Sequence, residues 1–363
     1  MYKSFRVKNF RCFKDLQIND LGRVNLIAGK NNTGKTALME AMYIFTRPLS
    51  PQILFQLQEI RTQYLPDEHV SAVWRQFFSG MDTSKDIELS GEDSLSSICT
   101  YLTISELTKV EENAAAFLKY FQYLTAHGIP NAQASGFTAR AEAMLEFRFV
   151  GEDGVERDTQ YLPVSPIPVN TEVEQRSLFV PVRGTPNKEI TATQFSNADM
   201  RGERAQIERL LRLFEPRLSE LRLQSPYGET AIWGRVNGIQ LPLSLMGDGI
   251  NHVCNFMLNI MSKPQCLFID EIENGIHHSV QKDFWKGIGK LVREKHVQLF
   301  ATTHSLEMIR AAYEAFSEEG KLDEFRYHRL DRDRDTGDIE AVTYNEFGMD
   351  AVAAFDFEHE VRG

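Results

Sequence analysis

The pattern of apolar and polar positions predicts a strand, a loop and a helix near the start of the chain. Residues 24–28 form a short apolar run that is typical of a buried strand. Between residues 37 and 45 the apolar positions recur at helical spacing, and Pro48 ends that pattern. Two shorter strands, at residues 5–7 and 16–18, are predicted to precede this unit.

A similar pattern returns in the last third of the chain. Apolar runs at residues 265–269 and 297–301 predict two further buried strands, and helical spacing predicts helices from residue 253 and from residue 280. The signals in the middle of the chain are weaker. The elements predicted there are a helix at 106–126, a hairpin at 145–150 and 156–162 around Asp153-Gly154, and loop with short strands at 163–190.

Residues 201–223 form another predicted helical stretch, which carries arginines interleaved with glutamates. This stretch either faces DNA or a partner, or is a solvated surface on which the charges pair at helical spacing. The second interpretation is the simpler one, because the opposite charges alternate.

Composition excludes several classes of protein. The chain has 363 residues with 42% apolar and 25% charged positions, which is typical of a globular protein. No apolar run is long enough to span a membrane, and the first residues do not resemble a signal peptide. Four scattered cysteines fit a reducing cytoplasm, so we expect a cytoplasmic protein with no membrane partner. The net charge of −11 gives no support for DNA binding, although a local basic patch remains possible.

The loop after the first buried strand matches G-x-x-x-x-G-K-[ST] without a mismatch. Backbone N–H groups of such a loop chelate phosphates at a helix N-terminus, and the glycines allow close approach. Lys35 is expected to reach the β- and γ-phosphates, and the Thr36 hydroxyl to bind Mg²⁺. The alternative is a chance Gly/Asn-rich turn. The predicted nucleotide-binding residues of this loop are Gly29, Asn31, Asn32, Thr33, Gly34, Lys35, Thr36 and Ala37.

Two residues before the loop are weaker candidates. Arg11 is a candidate for an α-phosphate contact, and Phe13 for stacking near an adenine. The alternatives are a surface arginine and a core phenylalanine.

Acidic and histidine residues follow the two later strands. Asp270 suits the Mg²⁺ site, where it would act through the metal's water shell, and Glu271 suits the general base that activates the attacking water. His304, at the end of the next strand, is placed to contact a γ-phosphate. The alternatives are an ordinary acidic loop and a histidine satisfied within its own loop. The adjacent His277 and His278 point about 100° apart on a helix, so a shared metal ion is not favoured.

A second glycine-rich turn, Gly247-Asp248-Gly249, opens the helix predicted from residue 253. Backbone amides and the helix dipole make such a turn an anion site. Because the first phosphate loop lies far away along the chain, the second turn is predicted to serve a partner's nucleotide.

An acidic run, Asp331, Asp333 and Asp335, lies in a predicted hairpin whose strands are residues 325–330 and 339–344. The run does not fit a calcium loop, because the required glycine and glutamate are misplaced. We therefore interpret it as a solvated hairpin tip.

Together these motifs resemble the ABC-type ATPase superfamily, in particular its stand-alone branch of OLD-family nucleases, prokaryotic defence ATPases, and RecF- and SMC-type heads. Residues 29–36 resemble its Walker A motif and residues 267–271 its Walker B motif. Residues 273–278 are similar to the D-loop, His304 to the switch histidine, and residues 243–249 to the signature motif. The signature departs from LSGGQ, since no serine precedes Gly247 at the usual place.

The resemblance implies an α/β fold of the ABC-type P-loop NTPase, with a mostly parallel core sheet, an antiparallel β flank and an inserted helical lobe. Residues 1–60 and 236–363 would form the ATP-binding core, and residues 61–235 the inserted β-hairpin and helical lobe. The implied ligands are ATP and Mg²⁺, and the implied assembly is a homodimer or a higher even oligomer.

The resemblance also suggests a role. The 58 residues after Ser305 are too few for the Toprim nuclease domain of OLD-family proteins, so a separately encoded, nuclease-like effector in anti-phage defence is expected. The alternatives are a RecF-like DNA-repair ATPase head and a nucleotide-gated scaffold that hydrolyses little ATP.

Overall fold

The protein is described as a computed structural model. Its contacts divide the chain into two compact units. Unit 1 comprises Met1–Asn19, Asn31–Arg176 and Leu330–Ala341, and unit 2 comprises Asp20–Lys30, Ser177–Arg329 and Val342–Gly363. The predicted boundaries near residues 60 and 235 stay a prediction. The structure describes residues 1–47, 53–62, 74–93, 99–108, 118, 143–151, 153–163, 177–182, 188–226 and 228–345.

Unit 1 is built on an antiparallel sheet with the strand order β2-β1-β4-β5-β6-β7. Its helix α1 packs on the sheet, with the Phe45 ring 5.5 Å from those of Tyr2 and Phe5. Gly91 allows this packing, because a Cβ there would lie 2.9 Å from the Phe45 ring. The elements are β1 (Tyr2–Phe10), β2 (Phe13–Ile18), α1 (Lys35–Phe45), α2 (Ile53–Thr62), β4 (Ile87–Asp93), β5 (Cys99–Thr108), β6 (Ala143–Val150) and β7 (Glu156–Pro163).

Unit 2 contains most of a second six-stranded sheet, with the order β15-β14-β3-β13-β12-β8. Strands β3, β13, β12 and β8 are parallel. In β3, β13 and β12 the residues on both faces are buried, apart from Gly29, as expected for a parallel sheet that is covered on two faces, whereas β8 is buried only at Ser177. The strands are β3 (Val24–Gly29), β8 (Ser177–Val180), β12 (Cys266–Ile269), β13 (Gln298–Thr302), β14 (Phe325–Arg332) and β15 (Ile339–Tyr344).

A three-stranded antiparallel sheet, in the order β11-β10-β9, and five helices complete the described part of unit 2. A single apolar core joins them to the parallel sheet. The elements are α3 (Lys188–Met200), α4 (Arg204–Leu211), β9 (Leu218–Gln224), β10 (Ala231–Val236), β11 (Ile239–Pro242), α5 (Asp248–Met261), α6 (Gln281–Lys295) and α7 (Leu306–Glu318).

The predicted helix at residues 201–223 is wrong in its second half. Helix α4 ends at Leu211, and residues 218–224 form strand β9 against β10. Pro216 cannot continue a helix, and Leu218 and Leu221 turn inward from the strand. The alternating charges do pair, for example Arg212 with Glu208 at 3.3 Å.

The helix predicted at 106–126 is wrong at its start, because residues 106–108 belong to β5. The rest of that prediction, apart from residue 118, lies outside the described residues. In the region 163–190, β8 is a strand of the parallel sheet, and α3 begins at Lys188. The predicted strands at both ends of the chain and the hairpins β6–β7 and β14–β15 are confirmed. Across the described ranges, no helix combines the length and apolar character needed to cross a membrane.

Candidate functional site

The phosphate-loop motif leaves the carboxyl end of β3 and leads into α1, which begins at Lys35. Asn32 and Gly34 have positive φ angles of 64° and 87°. A Cβ on Gly34 would lie 2.7 Å from both the Cys12 sulfur and the Phe13 ring. Only glycine fits this position, because both the conformation and the space exclude a side chain.

Helix α1 starts without a side-chain cap, since its N-cap residue is Gly34. The side chains of Thr33 and Lys35 are buried. An anion at this end would be stabilised by the helix dipole and the first backbone amides. The loop therefore has the conformation and the polarity that a phosphate requires.

Arg11 lies beside α1 in unit 1. Its Nε is 2.7 Å from the Glu40 carboxylate, and its guanidinium carbon lies 4.3 Å from the Phe77 ring centroid. Burial lowers the pKa of Arg11, and Glu40 opposes that shift. Glu40 also binds Arg61 through two hydrogen bonds of 2.5 and 3.0 Å. The charge of Arg11 is thus matched by a buried carboxylate, and its predicted α-phosphate contact stays a prediction.

Phe13 is a core residue. Its side chain is almost completely buried and packs beneath Gly34. The predicted stacking on adenine is therefore wrong, because no face of the ring is open to a base.

In unit 2, the carboxyl ends of three parallel strands lie side by side. Ile27 of β3 pairs with Thr302 of β13, and Ala301 pairs with Ile269 of β12. The residues that follow these strands consequently share one edge of the sheet. Gly29, Asp270 and the segment that contains His304 are at this edge.

Thr302 joins the two acidic residues of the Walker B motif. Its hydroxyl donates to Asp270 Oδ1 at 2.5 Å and accepts from the Glu271 backbone N–H at 2.8 Å. Glu271 has a φ of 51°, which is uncommon for a residue with a side chain. The Asp270 N–H donates to Val180 on β8. Asp270 is buried, and its orientation is set by these contacts.

The carboxylate of Glu271 is half-buried and lies near two polar side chains. Asn274 Nδ2 donates to its Oε2 at 3.2 Å, and the Nε2 of His304 is 3.8 Å from its Oε1. The backbone N–H of His304 donates to Glu273 Oε1 at 2.7 Å. Unit 2 therefore brings together Asp270, Glu271 and His304, and the roles predicted for them stay a prediction.

The second glycine turn contacts the D-loop-like segment in the same unit. A Cβ on Gly249 would lie 1.9 Å from the Gly275 carbonyl oxygen, so the two backbones touch. Gly247 precedes α5 and caps it with no side chain. Leu245 is 71% exposed just before this turn. The turn therefore lies next to an exposed residue, and the backbone contact between Gly249 and Gly275 fixes its position.

The candidate metal donors of this protein are oxygen atoms. Among the described residues, no cluster of three or more His, Cys, Asp or Glu is arranged to hold a metal ion. Mg²⁺ does not need such a cluster, because it takes one or two protein oxygens together with waters and phosphates. The Asp270 carboxylate and the Thr36 hydroxyl are donors of this kind. His277 Nδ1 lies 2.9 Å from the Ser279 hydroxyl.

Sequence reasoning missed Thr302, Glu273, Asn274 and Arg332. Thr302 was detectable as a hydroxyl residue one strand away from the Walker B acids. Glu273 and Asn274 lie in a segment that was recognised, but their partners depend on the turn geometry. Arg332 donates to the Asn32 carbonyl from the hairpin tip, and no local pattern indicates that contact.

Comparisons with known proteins bear on the family of the chain. A model of the AAA ATPase domain matches residues 1–201 and 187–309. An ATP/GTP phosphatase of Helicobacter pylori is 23% identical over 345 residues, which cover 85% of this chain and 86% of that protein. A Methanocaldococcus jannaschii protein is 42% identical over 45 residues, or 12% of this chain and 20% of that protein.

Solved structures that resemble the fold include SMC heads. The head from Pyrococcus furiosus, bound to the C-terminal domain of ScpA, has a TM-score of 0.48 and 10% identity, over 98% of this chain and 99% of that chain. The head from Thermotoga maritima has a TM-score of 0.41 and 15% identity, over 95% and 99%.

The family match spans most of the chain and includes the Walker A and Walker B motifs. The predicted membership of the P-loop ATPases and the predicted α/β fold are confirmed. The chain belongs to the AAA ATPase domain family and is an ATPase, which binds and hydrolyses ATP.

Proposed function

We propose that hydrolysis depends on Mg²⁺ and uses the predicted residues in distinct roles. The loop 29–36 binds the triphosphate, with Lys35 at the β- and γ-phosphates. Thr36 and Asp270 hold Mg²⁺, which supplies charge neutralisation when bound. The observation that carries the proposal is the Thr302 hydroxyl, which holds Asp270 and the Glu271 backbone together.

Glu271 acts on the attacking water. Its carboxylate accepts a proton as the water oxygen bonds to the γ-phosphorus and the bond to the ADP oxygen breaks. Asn274 and His304 flank this carboxylate and restrict its rotation. His304 also contacts the γ-phosphate, and Glu273 fixes the backbone of His304.

Two substitutions test these roles. Lys35→Ala should abolish ATP binding, measured by titration with a fluorescent ATP analogue. Glu271→Gln should retain ATP binding and lower phosphate release by about 10²–10⁴-fold. Glu340→Gln, an exposed glutamate on β15, and Lys321→Ala are the matched controls. Turnover by Glu271→Gln at the wild-type rate would refute the assigned base.

We also propose that two copies pair around two nucleotides. The support is the Gly247–Gly249 turn. The backbone of Gly275 contacts this turn at Gly249, and Leu245, just before the turn, is exposed. In Glu271→Gln, ATP should shift the protein from monomer to dimer in light scattering, and Leu245→Asp should prevent the shift. A monomer at saturating ATP would contradict the pairing.

The output of this cycle is proposed from the family resemblance. The closed dimer would control a separately encoded, nuclease-like effector in anti-phage defence. The test is affinity purification of Glu271→Gln with ATP, followed by mass spectrometry and a nuclease assay of what is retained. Recovery of no effector together with salt-sensitive, ATP-dependent DNA binding would favour the RecF-like alternative instead. Tight ATP binding with almost no phosphate release by the wild-type protein would favour the scaffold.

A further inference from the structure

The tip of the β14–β15 hairpin contacts the phosphate loop inside unit 1. Arg332 Nη2 donates to the Asn32 carbonyl oxygen at 2.9 Å. Its Nη1 donates to the Gly337 carbonyl at 2.7 Å. One guanidinium therefore bridges the hairpin tip and the loop, which lie 300 residues apart in the chain.

Several hydrogen bonds hold the hairpin tip that carries this arginine. The Asp333 and Asp338 backbones pair at 2.9 Å, and Gly337 N–H donates to the Asp333 carbonyl. Asp333 Oδ1 accepts from the N–H groups of Asp335 and Thr336 and from the Thr336 hydroxyl. These bonds hold the pKa of Asp333 below its ordinary value.

A second contact ties the same tip to strand β2. Lys14 Nζ lies 2.7 Å from the Asp338 carboxylate. The neighbouring strand end also supports the loop, because Cys12 and Phe13 abut Gly34. The phosphate loop is thus contacted at Gly34 by residues at the start of β2 and at Asn32 by the hairpin.

The Arg332 guanidinium donates its hydrogen bonds to backbone carbonyl oxygens. Although the tip is rich in aspartates, Arg332 makes no ion pair with a carboxylate in the described part of the chain. A hydrogen bond to the Asn32 carbonyl restrains the peptide group that follows Asn32. Asn32 itself has a φ of 64°, a left-handed backbone conformation that costs free energy to maintain. Ordering a binding loop before the ligand arrives raises affinity, because the entropy of ordering is not lost on binding.

We propose that Arg332 is a positioning residue for nucleotide binding, which holds the phosphate loop in its phosphate-binding conformation through the Asn32 carbonyl. The proposal rests on the function proposed above for the loop 29–36. It predicts an effect on nucleotide affinity, for ADP as well as ATP, because both carry phosphates that the loop would bind. The chemical step should be spared, since Arg332 donates only to backbone carbonyl oxygens of the loop and the hairpin tip among its described bonds.

The test compares Arg332→Ala with Arg334→Ala, a neighbouring exposed arginine for which the structure gives no bond. Arg332→Ala should raise the Kd for fluorescent ADP and ATP analogues and the KM for ATP about tenfold, with kcat within twofold. Arg332→Lys keeps one charged donor and should recover part of the affinity. Amide exchange in residues 30–36 of the nucleotide-free protein should be faster in Arg332→Ala and unchanged in Arg334→Ala.

Lys14→Met is a second variant that leaves Arg332 itself intact. Because it loosens the tip, it should raise the Kd in the same direction by a smaller factor. The inference is overturned if Arg332→Ala binds nucleotide like Arg334→Ala, or if the loss falls on kcat alone. Lys35→Ala separates the two proposals. If Lys35→Ala binds nucleotide with normal affinity, the function proposed for the loop is refuted. If Lys35→Ala loses affinity but Arg332→Ala binds normally, only the role of Arg332 is refuted.

Discussion

At the residue scale, Thr302 is the contact on which the acidic pair depends. Its hydroxyl is buried, donates to Asp270 and accepts from the Glu271 N–H. Val has a similar shape but can do neither. Removing the hydroxyl leaves a buried donor and a buried acceptor without this partner, which costs about 1–3 kcal/mol.

We therefore expect Thr302→Val to lower kcat at least about tenfold and to reduce the free energy of unfolding by about 1–3 kcal/mol. Steady-state phosphate release and urea unfolding measure the two effects. Thr302→Ser keeps the hydroxyl and should remain close to wild type in kcat. Equal kcat values for the two variants would show that the hydroxyl does not position the acids.

Glu40 is the second residue whose loss should be costly. Its side chain is 2% exposed and faces Arg11, which is 13% exposed, and Arg61. Glu40→Gln should lower the free energy of unfolding by about 3–5 kcal/mol, because it leaves the buried Arg11 charge uncompensated. Asp15→Asn breaks an exposed pair with Arg6 and should cost less than about 1 kcal/mol. Chemical unfolding of both variants decides the point, and equal costs would contradict it.

At the scale of elements, a backbone contact limits which residues fit in the first turn of α5. Alanine is normally preferred to glycine within a helix by about 0.5–1 kcal/mol. At Gly249 the added methyl group would meet the Gly275 carbonyl oxygen. Gly249→Ala should therefore destabilise the protein by about 1–3 kcal/mol in thermal or urea unfolding. Asn251→Ala, in the same turn, is the control and should be neutral or stabilising, so a stabilised Gly249→Ala would contradict the predicted clash.

How much of these elements could be predicted depended on how local their signals are. The strands around Walker A and Walker B were predicted because each is a continuous apolar run with a motif at its end. Strand β9 was missed because its charged residues also fit a helical pattern. Only its pairing with β10 shows that the segment is a strand. Strand β8 has four residues, which is too short for periodicity to reveal. Among the site residues, the Glu271–His304 proximity follows from parallel strands, whereas the Arg332 contact requires knowledge of where the hairpin folds.

At the scale of the whole molecule, a buried histidine links stability to pH. His328 on β14 lies with Nδ1 3.0 Å from the Thr343 hydroxyl and Nε2 3.2 Å from Asn25 Oδ1. Burial, assisted by the charge of Arg326, lowers the pKa of His328 to about 3. The unfolded chain binds this proton near the ordinary value of about 6.5.

The sign of the dependence follows from that difference. Above about pH 6.5 the histidine is neutral in both states, and its full contribution is present. As the pH falls from about 6.5 towards 3, the unfolded state gains a proton that the folded state excludes, so stability falls by up to about 1.4 kcal/mol per pH unit. Denaturant unfolding at a series of pH values should show this loss, and it should be smaller in His328→Gln. An identical pH slope in both proteins would assign the acid sensitivity to other groups.

The pairing of β3 with β13 has a consequence for biosynthesis. The Arg23 carbonyl accepts from Leu299 N–H, and Gln298 reaches the Gly22 carbonyl across 276 positions of the chain. At about 5–20 residues per second, the ribosome needs roughly 14–55 s to make the second strand after the first. During that interval the apolar strand that precedes the phosphate loop has no partner on its β13 side. Nascent chains of this ATPase are consequently expected to need chaperone protection until translation has passed residue 302, and shorter products should be unable to hold ATP.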